Sequence, residues 1–159
     1  MSNQKSLIWD QTFPLIRLEG EGTKAFLQGQ TTTDFNNLCN QEIVQSCWLD
    51  SSARVKALLE IRLFKEGAEV LVLSGNSEDV RNGFSNIIFP ADKIQIKPLD
   101  QKRRLQEISK LHSYRTNFIW LNEKKNEDLG EIAKASDDEI EIWKIYQGFP
   151  SHPQELNGE

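Results

Sequence analysis

The sequence is poor in the residues that most often carry chemistry. It has two cysteines, Cys39 and Cys47, and two histidines, His112 and His152. The cysteines form no C-x-x-C pair, and no His/Cys group stands at metal spacing, which excludes the common zinc arrangements. Two unpaired thiols suit a reducing compartment. No stretch approaches the roughly 18 apolar residues that a membrane span needs. The opening MSNQKSLIWD has no apolar core of a signal peptide. A cytoplasmic protein without a membrane partner is expected. Positive charge is also scarce: 19 Lys and Arg stand against 24 Asp and Glu, for a net charge of -5. The broad attraction that draws proteins onto nucleic acid is therefore missing, and no strong direct nucleic-acid binding is expected. The one dense basic run, Lys102-Arg103-Arg104, reads as the solvated face of a helix. No G-x-S-x-G, P-loop, G-x-G-x-x-G or H-E-x-x-H occurs.

What is present is an ordinary polar chain of 159 residues, 38% hydrophobic and 27% charged, long enough to bury a core. The clearest period is ARVKALLEIRLF, Ala53 to Phe64. Its odd positions are apolar, and Arg54, Lys56, Glu60 and Arg62 are charged, which predicts a strand with one face on a core and one in water. Lys65 to Ala68 is a turn of hairpin length, and Val70 to Leu73 is a returning strand that is apolar on both faces. Ile43 to Leu49 supplies a strand before this pair, and Phe13 to Glu19 a short one near the start. Thr23, after the Gly20–Gly22 turn, can cap a short helix from Lys24 carrying Phe26 and Leu27 inward.

Asn76 and Asp79 open a helix over Ser77 to Ile88, with Val80, Phe84 and Ile87 at helical spacing and Pro90 as its stop. Lys93 to Lys97 alternates as a strand. Pro98 to Gln101 looks like a joint. Leu105, Ile108 and Leu111 predict a further helix, and Asn117 to Leu121 a short strand. Glu123 to Glu131 reads as a solvated loop. Ser136 and Glu139 form a capping box for a last helix, which Gly148 and Pro150 end. Trp143 and the isoleucines of that helix are expected to leave apolar surface in need of cover. The order of elements predicts an α+β fold, an antiparallel-rich sheet layered with helices. Two segments are expected, a first α+β domain over 1–99 and a shortened, incomplete second one over 100–159.

Three features stand above this background. FLQGQTTTD, Phe26 to Asp34, is either a polar helix end or the lip of a binding site. LDSSAR, Leu49 to Arg54, is a tight turn that delivers a cation onto a strand. KIYQGFP, Lys144 to Pro150, joins a cation, an aromatic and a sharp helix stop. Each has a plain structural reading as well as a functional one. The acidic cluster Asp137-Asp138-Glu139 is explained by the positive end of the helix dipole.

In this order the three features resemble the YgfZ-type folate-binding, tRNA-modifying proteins, relatives of the glycine cleavage T-protein, an aminomethyltransferase. FLQGQTTTD is similar to their FLQGQ-x-T-x-D signature. WLDSSARVKALLEIRLF resembles the next segment, in which a Gly-Lys or Gly-Arg dipeptide leads into a strand ending Arg-Leu-Phe; here Ala53-Arg54 stands at that dipeptide. KIYQGFPSHPQEL resembles the segment R-I-x-x-G-I-P-x-x-x-x-E. The resemblance implies a T-protein/YgfZ-like N-terminal folate-binding fold and tetrahydrofolate as cofactor. It also implies a role in maturing or repairing iron–sulfur enzymes, including ones that thiolate tRNA, so iron–sulfur client proteins are expected partners.

By the same resemblance Gln28 and Gln30 face a pterin edge, Thr32 joins them as a folate-binding residue, Lys144 meets the carboxylates of a folate tail with Arg54 as a second candidate cation, and Asp34 either binds or caps the following turn. Two departures stand out. Ala57 and Leu58 occupy the place of the T-protein's carboxylate pair, and neither can move a proton; a non-catalytic protein is therefore favoured over an aminomethyltransferase. The cysteine motif K-G-C-Y-x-G-Q-E of the family does not occur before Glu159, which suggests a C-terminally truncated chain, in the limit a remnant with a structural or partner-binding role.

Overall fold

The computed structural model describes residues 6–108, 118–121 and 132–149. Their elements run β1 (Leu7–Glu19), α1 (Thr23–Gln30), β2 (Ile43–Leu49), β3 (Val55–Phe64), β4 (Gly67–Ser74), α2 (Ser77–Ile87), a 3-10 turn (Pro90–Asp92), β5 (Gln95–Ile96), β6 (Asp100–Ile108), β7 (Phe118–Leu121), β8 (Ala133–Lys134) and α3 (Asp137–Gln147). The fold is α+β; β2-β3, β3-β4, β4-β1, β1-β5 and β6-β7 pair antiparallel, and β8 joins β1 in parallel. No described helix is long and apolar enough to cross a membrane. Contacts divide the chain into two units: Pro14–Asp100, and residues up to Phe13 together with Gln101–Phe149.

In the Pro14–Asp100 unit the strand order is β2-β3-β4-β1, with β5 also pairing β1. The period-two pattern of β3 fixes its register: Leu59 faces Val72 and Ile61 faces Val70. One sheet face carries Ile16, Leu18, Ala57, Leu59, Ile61, Val70 and Val72, and buries Leu27 of α1 with Val80 and Phe84 of α2. Phe84 meets Phe26 and Trp48 edge-on, with ring centroids 5.5 and 6.2 Å away. Asn76 caps α2 as its spacing predicts, its Oδ1 accepting from Asp79 N at 3.1 Å. α1 starts with no side-chain cap; the Thr23 hydroxyl donates back to Gly20 O at 2.8 Å instead.

The second face of β3 is drier than its charged residues predict. Leu58 and Glu60 are buried. Further along, Arg17 and Arg62 both hold Glu69 across the strands. A cross-strand ion ladder lets charged side chains sit on a covered face, because each charge is neutralised beside its partner.

In the other unit the order is β1-β6-β7, with β8 on β1. Here the expected helix through Leu105 and Ile108 is a strand, β6; Leu111 lies outside the described residues. The basic run is not a solvated helix face either. Lys102 and Arg104 are 6% and 2% exposed. Their ammonium and guanidinium groups lie over aromatic rings, Lys102 over Trp120 and Arg104 over both Phe118 and Trp9. Long aliphatic stems can line a core while their heads rest on π faces, so Lys102, Arg104 and Gln106 form an inward row that a hydrophobicity pattern cannot reveal.

Trp9 sits in the middle of this packing, 2% exposed, with Phe13, Trp143 and Phe149 around it at 6.0, 6.0 and 5.6 Å. Trp143 is thus covered, and the exposed large hydrophobic residues of α3 are Ile142, Ile145 and Tyr146. The capping box of Ser136 and Glu139 and the left-handed Gly148 form as their positions predict. On the opposite side of these strands Ile8, Leu105 and Leu121 cluster. There Arg103 grips Asp10 through two bonds of 2.8 and 2.7 Å, and Lys134 adds a third cation contact at 2.9 Å. Residues Glu123 to Glu131 and the tail beyond Phe149 lie outside the described residues.

Candidate functional site

The run FLQGQTTTD begins as α1 and ends against β2. Three consecutive threonines favour capping and extended geometry over helix, and here each finds a backbone partner. Thr31 donates its hydroxyl to Leu27 O at 2.9 Å, and Thr33 donates to Gln45 O at 3.0 Å. Thr32 Oγ1 accepts from Cys47 N at 3.0 Å, while Thr32 N donates to Cys47 O at 3.1 Å. Gln28 Oε1 accepts from Phe35 N at 2.6 Å, and Asp34 Oδ1 from Asn36 N at 3.0 Å. Gln28, Thr32 and Asp34 therefore stand together and fasten the end of α1 to the loop and to the edge of β2. Asp34 forms an Asx turn.

Gln30 faces elsewhere. It lines an open cleft of about 520 Å³ between α1 and the 3-10 turn, with Phe26, Gly29, Ile87 and Phe89 as its walls and Glu21, Asp92 and Lys93 as its polar rim. Lys93 reaches Glu21 across the rim at 2.5 Å. That contact holds the Glu21 carboxyl below, and the Lys93 ammonium above, their usual values. The turn on one side of the cleft is held by its own hydrogen bonds. Phe89 N donates to Asp92 Oδ2 at 2.7 Å and Phe89 O accepts from Asp92 N at 2.9 Å, so the turn carrying Phe89 is locked. On the facing side Gly22 comes so close to Asp92 O that a Cβ there would lie 1.9 Å from it. Sequence reasoning missed Phe89 and its rim. The available signal was a large aromatic placed between an amphipathic helix and a proline, where no core position remains for it.

Arg54 lies in the turn between β2 and β3, exposed. Asp50 organises that turn: its Oδ1 accepts from Ser52 N at 2.8 Å and Arg54 N at 3.0 Å. These bonds, the one from Arg54 first, hold the Asp50 carboxyl below its usual range. Ala53 takes a left-handed φ of 59°. Ala57 and Leu58 on β3 are buried, at 0% and 3% exposure. Lys144 belongs to the unit containing Trp9, where its Nζ stands 4.9 Å over the Trp9 ring. Within the Pro14–Asp100 unit, Gln28, Thr32 and Asp34 stand together at the end of α1, Gln30 lines the cleft and Arg54 lies at a hairpin turn; Lys144 belongs to the other unit. Among the described residues no group of His, Cys, Asp and Glu is placed to hold a metal. Cys39 is exposed, and burial raises the Cys47 thiol above its usual value.

No family model matches the chain, and no curated protein matches it. Among solved structures it is similar to the crystal structure of the glycine cleavage system aminomethyltransferase T from Bartonella henselae, at 18% identity and a TM-score of 0.53. The match covers 64% of this chain and 29% of that one. The chain thus shares a fold with part of an aminomethyltransferase, and it corresponds to under a third of that protein's length.

Proposed function

We propose that the chain is a non-catalytic tetrahydrofolate-binding protein of the YgfZ type. The observation that carries the reading is the fold shared with part of an aminomethyltransferase; the resemblance adds that Ala57 and Leu58, both buried, stand where a T-protein has carboxylates, and neither can move a proton. The resemblance of FLQGQTTTD, LDSSAR and KIYQGFP adds the folate, the support of iron–sulfur enzyme maturation and repair, and the link to tRNA modification. The donor set fits a folate in part. A flat ring requires an aromatic face and a polar edge, and Phe89 with Gln30 offers both beside the cleft. Arg54 is an exposed cation for a carboxylate. Gln28, Thr32 and Asp34 already hold backbone groups with their acceptor oxygens, so their part is to shape the α1 end.

Calorimetric titration of the folded chain with tetrahydrofolate tests the reading. Saturable binding with no turnover in a glycine cleavage assay is the expected result. Folded protein that releases no heat at millimolar ligand overturns it. Turnover in the glycine cleavage assay would replace it with an aminomethyltransferase.

A further inference from the structure

We infer that the cleft between α1 and the 3-10 turn is a binding site for a flat aminopyrimidinone ring, seated on Phe89 with its N–H edge on the Glu21 carboxylate. That ring is shared by pterin and guanine, and its pterin form rests on the folate reading above. Phe89 is 65% exposed although its backbone is locked on both sides. The backbone that carries the ring is thus fixed beside the cleft, and its open face can take a stacked flat ring.

Space for the ring lies beside Gly29, where an added Cβ would meet no atom within 4 Å. The volume of about 520 Å³ falls in the range usual for small-molecule sites.

Charge selects the edge. Glu21 and Asp92 outnumber Lys93 on the rim, which disfavours a phosphate and favours a donor. An aminopyrimidinone presents two adjacent N–H donors, matched to the two oxygens of one carboxylate. The Glu21–Lys93 pair is solvent-exposed on both sides, at 66% and 69%. Such pairs are weak, so Glu21 can exchange Lys93 for the ligand at small cost. Gln30, also in the lining, offers a further donor–acceptor group.

The test titrates the full chain with tetrahydrofolate, with pterin and with guanosine by calorimetry. It then repeats each titration on Gly29→Leu, Phe89→Ala and Glu21→Gln, with circular dichroism as the check on folding. Gly29 is helical and exposed, so leucine is accepted by the helix while its side chain fills the space. Gly29→Leu should abolish binding of whichever ring binds, and Phe89→Ala and Glu21→Gln should each weaken it about tenfold, as loss of one stacking or one charge-assisted contact does. Rings that bind the wild type and all three folded variants equally overturn the inference and leave the folate reading standing. Guanosine binding that Gly29→Leu removes, without tetrahydrofolate binding, upholds the cleft and overturns the folate reading. No binding of any ring overturns both.

Discussion

The two units of this chain solve the problem of a dry interior in different ways. Pro14–Asp100 buries aliphatic side chains from period-two strands against Leu27, Val80 and Phe84 of two helices. The other unit surrounds one indole, Trp9, with aromatic rings and with the cations of Arg104 and Lys144. Aliphatic burial is non-directional and scales with area. A cation over a ring is directional and depends on charge. The first kind of core should fail when volume is lost, the second when charge or ring geometry is lost.

The largest effect expected is in the aliphatic core. Phe84→Ala removes a fully buried ring that closes edge-on against Phe26 and Trp48, and should cost about 3–5 kcal/mol. A lower urea midpoint at constant slope is the signature. In the other core Arg104→Ala deletes a guanidinium over two rings and its 2.6 Å bond to Gln106 Oε1; about 2–3 kcal/mol should be lost. Arg104→Lys keeps the charge and the stem but not the plane, and should recover roughly half of that. If lysine and alanine cost the same, charge is irrelevant there and the contrast between the two cores collapses.

An intermediate effect belongs to Asp10. The bidentate hydrogen bond from Arg103, followed by Lys134, holds its carboxyl at about 2, against a usual value of 3.8. A depressed carboxylate stabilises the fold above its unfolded value and loses that contribution as pH falls through the folded one. Stability of the wild type should therefore decline between pH 3.8 and about 2, and Asp10→Asn should remove that component of the decline. At neutral pH the same variant should cost about 1–2 kcal/mol after allowance for partial screening. Chemical denaturation across that pH range, for both proteins, gives the comparison directly.

The contrast also decides what could be read in advance. β2, β3, β4 and α2 follow patterns that hydrophobicity records, so Ile43–Leu49, the odd positions of β3 and the Asn76 cap were legible. β6 was not. Its inward row is Lys102, Arg104 and Gln106, and Leu105 with Ile108 is a spacing that helix and strand can share. Charged stems that bury themselves on aromatic faces invert the usual code. The site was legible only in part. FLQGQTTTD marked the end of α1, but whether Gln28 or Gln30 faces a cleft depends on where the 3-10 turn falls. Phe89 and Glu21 become neighbours through tertiary packing that no local motif announces.

The smallest effects concern two positions where backbone geometry and residue type disagree, both in the aliphatic unit. Gly29 is a helical glycine with open space at its Cβ position, so Gly29→Ala should stabilise that unit by about 1 kcal/mol through helix propensity. Ala53 is the converse. Its φ of 59° is the left-handed region, where a Cβ crowds the following carbonyl at a cost of roughly 1 kcal/mol. Ala53→Gly relieves that crowding but widens the unfolded ensemble, and the two terms oppose each other. The net gain should be a few tenths of a kcal/mol, about 0.5 at most. The bonds that Asp50 accepts from Ser52 N and Arg54 N hold the turn in either variant. A melting temperature that rises slightly for Ala53→Gly would mark the turn as strained by its alanine. A fall would mean that the alanine is tolerated without cost, and that the entropy of the unfolded chain decides the sign at this turn.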